Sequence, residues 1–225
     1  MAAQANPFDE LAPFYDSWFD TPLGAAVGAL ERGLLLRLAR PQPGERALEV
    51  GVGTGYFARA LAEAGARVVG VDLSQPMLRQ AAVGAGLGPA PADLALVRGD
   101  ARALPLAAAQ FDLVLTVTML EFVPEPERAI AEMWAAVRSG GRLVVAVLNA
   151  WSPWARRREP PFDRAHYYSP PALRRLLGGY GRVQRGSTVF FLPDGRLRRY
   201  SACLEALGRS ILRPFGALLI GRVDK

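Results

Sequence analysis

Hydrophobic positions along this 225-residue chain change period several times. Residues 47–50 (ALEV), 67–73 (RVVGVDL), 94–99 (LALVRG), 111–118 (FDLVLTVT) and 142–149 (RLVVAVLN) are short, nearly continuous apolar runs. Such runs, rich in Val and Leu, predict strands buried on both faces. Helix signals separate them. Thr21-Pro22 opens a stretch in which Leu23, Val27, Leu30, Leu34 and Leu38 form one stripe, predicting a helix that ends before Pro41 and packs on the sheet edge. Ser74 is placed to cap a helix with Pro76 in its first turn, and Pro124 precedes a helix to Val137 that Gly140-Gly141 should stop. Pro170-Pro171 opens a short helix to Leu177.

Strands alternating with helices predict an α/β chain with a doubly wound, mostly parallel sheet. Residues 183–192 (VQRGSTVFFL) and 216–223 (GALLIGRV) add two strands, expected as an antiparallel hairpin at the C-terminal edge of a seven-stranded sheet. Between them Leu197, Tyr200, Leu204, Leu207 and Ile211 recur at helical spacing. They predict a helix lying on the sheet, with a membrane-surface helix as the alternative. Residues 84–91 and 150–161 read as irregular loops. A single domain over 1–225 is expected, with a helical cap (1–43), a ligand-binding core (44–150) and a lid with the hairpin (151–225).

The first strand carries Glu49 near its end and runs into a G-x-G-x-G turn, Gly51, Gly53 and Gly55. Glycine accepts positive φ and exposes bare peptide, so a ligand can lie against the backbone there. The dinucleotide fingerprint would need Gly or Ala at position 56, where Tyr stands, and that argues against a nicotinamide cofactor. Glu49 would repel a pyrophosphate and attract a cation. Asp72 follows Gly51 by 21 residues at the end of the second strand, where an acid can accept both ribose hydroxyls. Asp100, after the third strand, is placed to bond an adenine amino group.

EVGVGTG, VVGVDLSQPML, GDARALP and FDLVLTVTMLEFVPEPERAI…SGGRLVV together resemble the class I S-adenosylmethionine-dependent methyltransferases, in the branch that includes ubiquinone and menaquinone biosynthesis enzymes. The resemblance implies a Rossmann-like fold and S-adenosylmethionine as cofactor. It implies that Glu49, Gly51, Val52, Gly53 and Gly55 hold the methionine part, Asp72 the ribose, and Asp100 with Ala101 the adenine. Leu73 and Met77 would flank the adenosine, and Thr116 the reacting methyl. YDSWF (15–19) resembles an N-terminal segment that closes over the cofactor, bringing Tyr15 to the cofactor and Trp18 toward the acceptor. The family often has Arg where Ala135 stands and Pro where Ser139 stands, both expected on a connecting helix.

Methyl transfer is an in-line displacement that needs alignment more than covalent help, and a base only if the acceptor keeps its proton. His166, the sole histidine, and Tyr167 are the candidates for base or substrate ligand, although a lone histidine serves as readily in packing. Glu121, Phe122, Trp151 and Arg156 are expected at the acceptor, with Trp151, Trp154 and residues 156–158 as a stacking, charge-pairing lid or, equally, a solvated basic loop. No acid cluster near Thr118 or Asn149 suggests a metal site.

Absences narrow the acceptor. TMLEFV stands where base-methylating enzymes carry an Asn/Asp-Pro-Pro-aromatic turn, Lys225 is the only lysine, and Cys203, the only cysteine, follows Ala202 rather than proline. No leader or membrane-length apolar run is visible, so a cytoplasmic chain is expected. Charge is uneven: 12 arginines against 16 acids in residues 1–150, but 15 basic residues against 5 acids in 151–225. A basic C-terminal third could serve an RNA or protein acceptor. Arginine accounts for 26 of the 27 basic residues, which also fits a compositional bias needing no partner. The reading is therefore a methyltransferase for a small apolar or aromatic acceptor; the alternatives are an RNA or protein methyltransferase and a non-catalytic cofactor-binding module.

Overall fold

The computed structural model describes residues 6–84, 91–157, 159–208 and 210–225. Most of the loop expected at 84–91, and Arg158 of the expected lid, lie outside the described residues. The chain enters through α1 (Pro7–Leu11), α2 (Ser17–Asp20) and α3 (Pro22–Ala39). It then alternates through β1 (Arg46–Val50), α4 (Tyr56–Glu63), β2 (Arg67–Asp72), α5 (Gln75–Val83), β3 (Leu94–Arg98), β4 (Phe111–Val117), α6 (Pro126–Ala136) and β5 (Val137–Leu148). The last third supplies α7 (Pro170–Gly178), β6 (Gln184–Thr188), α8 (Ser201–Gly208) and β7 (Leu218–Asp224).

The strands make one seven-stranded sheet in the order β3-β2-β1-β4-β5-β7-β6. Neighbours from β3 to β5 are parallel, whereas β7 runs antiparallel to both β5 and β6. The expected mixed sheet is therefore present, with β7 inserted and β6 on the edge. Alternate strand residues feed two cores. Ala47, Leu113, Leu115 and Val144 pack against Leu34, Leu35, Leu61 and Leu78 on one face. Leu48, Val50, Val114 and Val145 pack against Ile130, Met133, Leu173 and Leu177 on the other. Each such fully buried aliphatic side chain contributes about 1.5–3 kcal/mol, so the sandwich holds the strand ends in fixed register.

The local signals act where the chain placed them. Thr21 Oγ1 accepts the Gly24 N–H (2.9 Å) and Ser74 Oγ the Met77 N–H (3.2 Å), each filling a helix-end donor. Buried Arg142 on β5 donates to the Ala39 and Arg40 carbonyls at the end of α3 and pairs with Glu45, pinning that helix to the start of β1.

Three expectations are corrected. Gly140-Gly141 does not end a helix: α6 stops at Ala136 and β5 begins at Val137. The register with β4 jumps between Phe111 and Leu113, and the extra residues bulge out through Gly140 at φ +77°. Ser139 therefore stands on a strand, not a helix. The stripe from Leu197 to Ile211 is not one continuous helix. A 3₁₀ turn, Arg198–Tyr200, precedes α8, which meets the end of the edge strand β6 through Leu204 and Glu205, whereas Leu197, Tyr200, Leu207 and Ile211 face solvent.

Gly24 sits where α3 crosses α2, and a Cβ there would overlap the Trp18 carbonyl. Gly24→Ala should push α2 off α3 and lower unfolding free energy by about 1–3 kcal/mol. Urea titration tests this; an unchanged midpoint would show that the crossing has slack.

Candidate functional site

Strands β1 and β4 are neighbours, yet β1 leads to a helix on one face and β4 to a helix on the other. The crevice at such a switch point, beyond the carboxyl ends of the strands, is where open α/β sheets take ligands. A cavity of about 530 Å³ lies there, within the size range of small-molecule sites.

The turn after β1 supplies its floor. Gly51, Gly53 and Gly55 all have positive φ (78°, 53° and 88°). A Cβ on Gly51 would overlap the Met119 side chain, while nothing stands within 4 Å of the corresponding position on Gly53. Bare peptide at Gly51 and Gly53 thus forms the cavity wall. Asp72 fixes this turn: Gly53 N–H donates to Oδ2 and Ser74 N–H to Oδ1, both at 2.8 Å. Burial raises the Asp72 pKa against the opposing pull of those bonds.

Glu49 lies behind the same turn, 1% exposed, and does not line the cavity. Burial, reinforced by the negative charge of Asp72, holds its pKa well above the usual carboxylate range, and its Oε2 has no hydrogen-bond partner. Val52 packs over Gly70 and Gly55 caps α4; neither reaches the cavity. Leu73 and Met77 form one wall, Asp100 and Ala101 another. The Asp100 carboxylate is gripped by Arg102 (Nη2–Oδ2 2.7 Å), which holds its pKa below the usual range.

After β4, Thr118 adopts φ +47° and a 3₁₀ turn, Leu120–Phe122, aims two side chains at the cavity. Phe122 meets Phe8 edge-on at 4.8 Å and Phe162 at 5.8 Å. Glu121 is 3% exposed; Leu148 N–H donates to its Oε1 at 2.5 Å, and Oε2 is unpartnered. Burial pushes its pKa up to about 7. Tyr15 also lines the cavity, its hydroxyl pKa raised first by burial and then by the charges of Glu31, Asp16, Asp72 and Glu121.

The other sequence candidates stand elsewhere. Thr116 is buried inside the sheet. His166 is exposed, and only its backbone N–H reaches toward the site, donating to the Glu121 carbonyl at 2.9 Å. Tyr167 is outside the cavity wall, as are Trp18, Trp151 and Arg156. Trp18 stacks under the Arg157 guanidinium (5.6 Å), and Trp154 donates its indole N–H to the Phe191 carbonyl (2.7 Å). The Trp/Arg segment thus packs on α2 and residues 191–193, away from the cavity.

Sequence reasoning missed Asn6, Pro7, Phe8, Arg102 and Arg164, all on the cavity wall. The first three belong to an N-terminal segment latched by two bonds, Ser74 Oγ–H to Asp9 Oδ1 and Thr54 Oγ1–H to Asp16 Oδ1, each 2.6 Å. Two acids seven residues apart in a segment of one-turn helices carry no periodic signal. Among the described residues no group of three or more His, Cys, Asp or Glu is arranged to hold a metal ion, and no helix is long and apolar enough to cross a membrane.

Comparison with known proteins agrees with this geometry. Residues 48–145 match the methyltransferase domain family. The demethylmenaquinone methyltransferase of Renibacterium salmoninarum is 40% identical over 63% of this chain, which spans 57% of that protein's length. That of Roseiflexus castenholzii is 35% identical over 79% of this chain and 76% of its own. The crystal structure of an S-adenosylmethionine-dependent methyltransferase from Thermotoga maritima superposes with a TM-score of 0.73, covering 97% of this chain and 98% of the other at 25% identity. With that sequence kinship added to a glycine turn and a buried acid at the switch point of a seven-stranded sheet, the chain belongs to the class I S-adenosylmethionine-dependent methyltransferases.

Proposed function

We propose that this chain transfers the methyl group of S-adenosylmethionine to a small apolar or aromatic acceptor bearing an ionisable proton. The observation that carries this reading is the pairing, in one cavity, of bare peptide and Asp72 at one end with the unpartnered Glu121 oxygen at the other. The residues fit such a donor. Its ammonium and sulfonium are cationic, and the cavity wall carries Asp72 and the buried Glu121, whose Oε2 lacks a partner. When bound, the donor supplies an electrophilic methyl carbon for in-line attack.

Each Asp72 oxygen spends one acceptor site on a backbone N–H, leaving another for a ribose hydroxyl. Leu73 and Met77 flank the adenosine, with Ala101 beside the adenine ring. Asp100 orients Arg102 and the turn that bears them both. Tyr15, kept protonated by burial and by the nearby charges of Glu31, Asp16, Asp72 and Glu121, adds a neutral phenol to the wall. Phe8 and Phe122 close the acceptor end as a water-excluding aromatic wall. Glu121 Oε2 takes the acceptor's proton while Leu148 N–H holds Oε1 in place. The side chains of His166 and Tyr167, outside the cavity wall, have no part in this scheme. The names of the two relatives make a demethylmenaquinone-type ring the first acceptor to assay. An RNA or protein acceptor has less support, because the cavity's only basic residues are Arg102 and Arg164.

Asp72→Ala should weaken S-adenosylmethionine binding by about 1–3 kcal/mol in calorimetry, from lost hydroxyl partners and a loosened turn. Unchanged affinity would remove Asp72 from the site. With an acceptor in hand, kcat/KM should rise with pH through about 7, as Glu121 ionises. Glu121→Gln should flatten that rise and cost about 10²–10⁴ in kcat; a profile that survives the substitution assigns the proton to another group.

The ligand-free protein should lose stability as pH rises from 5 to 8. Glu121 (pKa about 7), Glu31 (about 8) and Glu49 titrate higher folded than unfolded, so their stabilisation is full below the unfolded value of 4.5 and is lost upward. The acids with lowered values, Glu45, Asp100 and Asp112, act below that window. Thermal midpoints at pH 5 and pH 8 check the sign, and a higher midpoint at pH 8 would contradict it.

A further inference from the structure

A second cavity, about 430 Å³, shares no residue with the first, and every charged residue on its wall is basic. It opens between α7, β6 and the segment before β7, and its lining includes Trp151, Pro170, Arg174, Arg175, Arg185 and Pro214. No acid lines it. Among the described residues, no ion pair or side-chain hydrogen bond engages the guanidinium of Arg174, Arg175 or Arg185. Three such groups converging without a counter-charge form a site for anions.

The segment that supplies Pro214 to this rim also carries unpartnered apolar surface. Ile211 is 78% exposed, Leu207 49% and Phe215 47%, and Trp151 in the cavity itself is 49% exposed. Arg213 stands between Ile211 and Phe215, and Asn149 holds the segment down by donating to the Pro214 and Gly216 carbonyls at 2.8 and 2.7 Å. From 196 to 215 the sequence has five arginines and one acid, Glu205. That carboxylate faces inward, accepting from Thr188 Oγ1–H and Val189 N–H at 2.8 Å each. The surface is thus apolar and positive together.

We propose that this face, formed by α7, β6, Leu207 and residues 210–215, docks on an anionic phospholipid bilayer. The arginines bind headgroup phosphates; Ile211, Phe215 and Trp151 enter the interfacial layer. Exposed aliphatic side chains decide between a lipid surface and a nucleic acid, since Ile211 and Leu207 gain nothing from a phosphodiester backbone and gain burial at a bilayer. Docking needs neither cofactor nor turnover, so it stands apart from the catalytic reading.

Co-sedimentation of the full chain with vesicles tests it, comparing phosphatidylcholine alone with an equimolar phosphatidylcholine–phosphatidylglycerol mixture. Binding to the mixture and not to phosphatidylcholine alone is expected, weakening as salt rises. The triple variant Arg174→Glu, Arg175→Glu, Arg185→Glu should lower partitioning about a hundredfold or more. Ile211→Ser with Phe215→Ser should lower it about tenfold. All these positions are exposed, and unaltered circular dichroism and S-adenosylmethionine affinity will verify folding. Absence of binding to the anionic vesicles at low salt overturns the proposal, as does binding that neither variant weakens. Tighter binding to a single-stranded RNA, lost in the arginine variant and untouched by the serine variant, would reassign the face to polyanions.

Discussion

A carboxyl group buried without a counter-charge is the constraint around which this molecule is organised. Glu49 and Glu121 sit at the carboxyl ends of β1 and just past β4, each almost fully buried, each with one oxygen unpartnered. Leaving such a group unpaired costs free energy that a folded chain spends only where something else uses it. Backbone donors meet part of the need: Leu148 N–H for Glu121, Ala58 N–H for Glu49, Gly53 and Ser74 N–H for Asp72. Of the two free oxygens, only Glu121 Oε2 belongs to a residue on the cavity wall. The sheet makes this possible because parallel strands, clamped by helices on both faces, end in register and bring the β1 and β4 turns to one crevice.

The N-terminal segment answers to the same turns. Two of its acids, Asp9 and Asp16, take hydroxyl hydrogens from Ser74 and Thr54, residues that flank Asp72 and the glycines. Tyr56 then has a purpose that spacing alone did not show. Its bulk excludes the dinucleotide fingerprint, and its ring stacks on Phe19 at 4.1 Å, 5° from coplanar, fastening α2 to the start of α4. One residue thus rules out a pyrophosphate cofactor and anchors the cover over the remaining cavity.

Much of the fold was legible in sequence, because burial on both strand faces leaves runs that little else produces and because Thr21 and Ser74 announce their helices. The site was legible where local chemistry dictates it: glycines needing positive φ, and an acid one strand away. It was illegible where registry or distance decides. Thr116 and Thr118 lie two residues apart, yet one is sealed within the sheet and the other, past the strand end in a left-handed turn, meets the cavity. Asn6, Pro7 and Phe8 reach the wall through contacts with residues more than sixty positions away, such as Asp9 with Ser74. Gly140-Gly141 reads as a stop until the β4 register shows a bulge that only a flexible pair accommodates.

The charge asymmetry between the two parts of the sequence acquires a spatial meaning. The acids of the first 150 residues include the three on the wall of the first cavity, while three arginines of the last third, Arg174, Arg175 and Arg185, line the second. Opposite fields within one small molecule would cancel if interleaved. Here the second cavity is lined by arginine without any acid, whereas the first mixes Asp72, Asp100 and Glu121 with Arg102 and Arg164. A general preference for arginine explains why the basic residues are Arg rather than Lys. It does not explain why Arg174, Arg175 and Arg185 line one cavity with no acid on its wall, on a face that also exposes Ile211 and Phe215. That arrangement is a property of the fold.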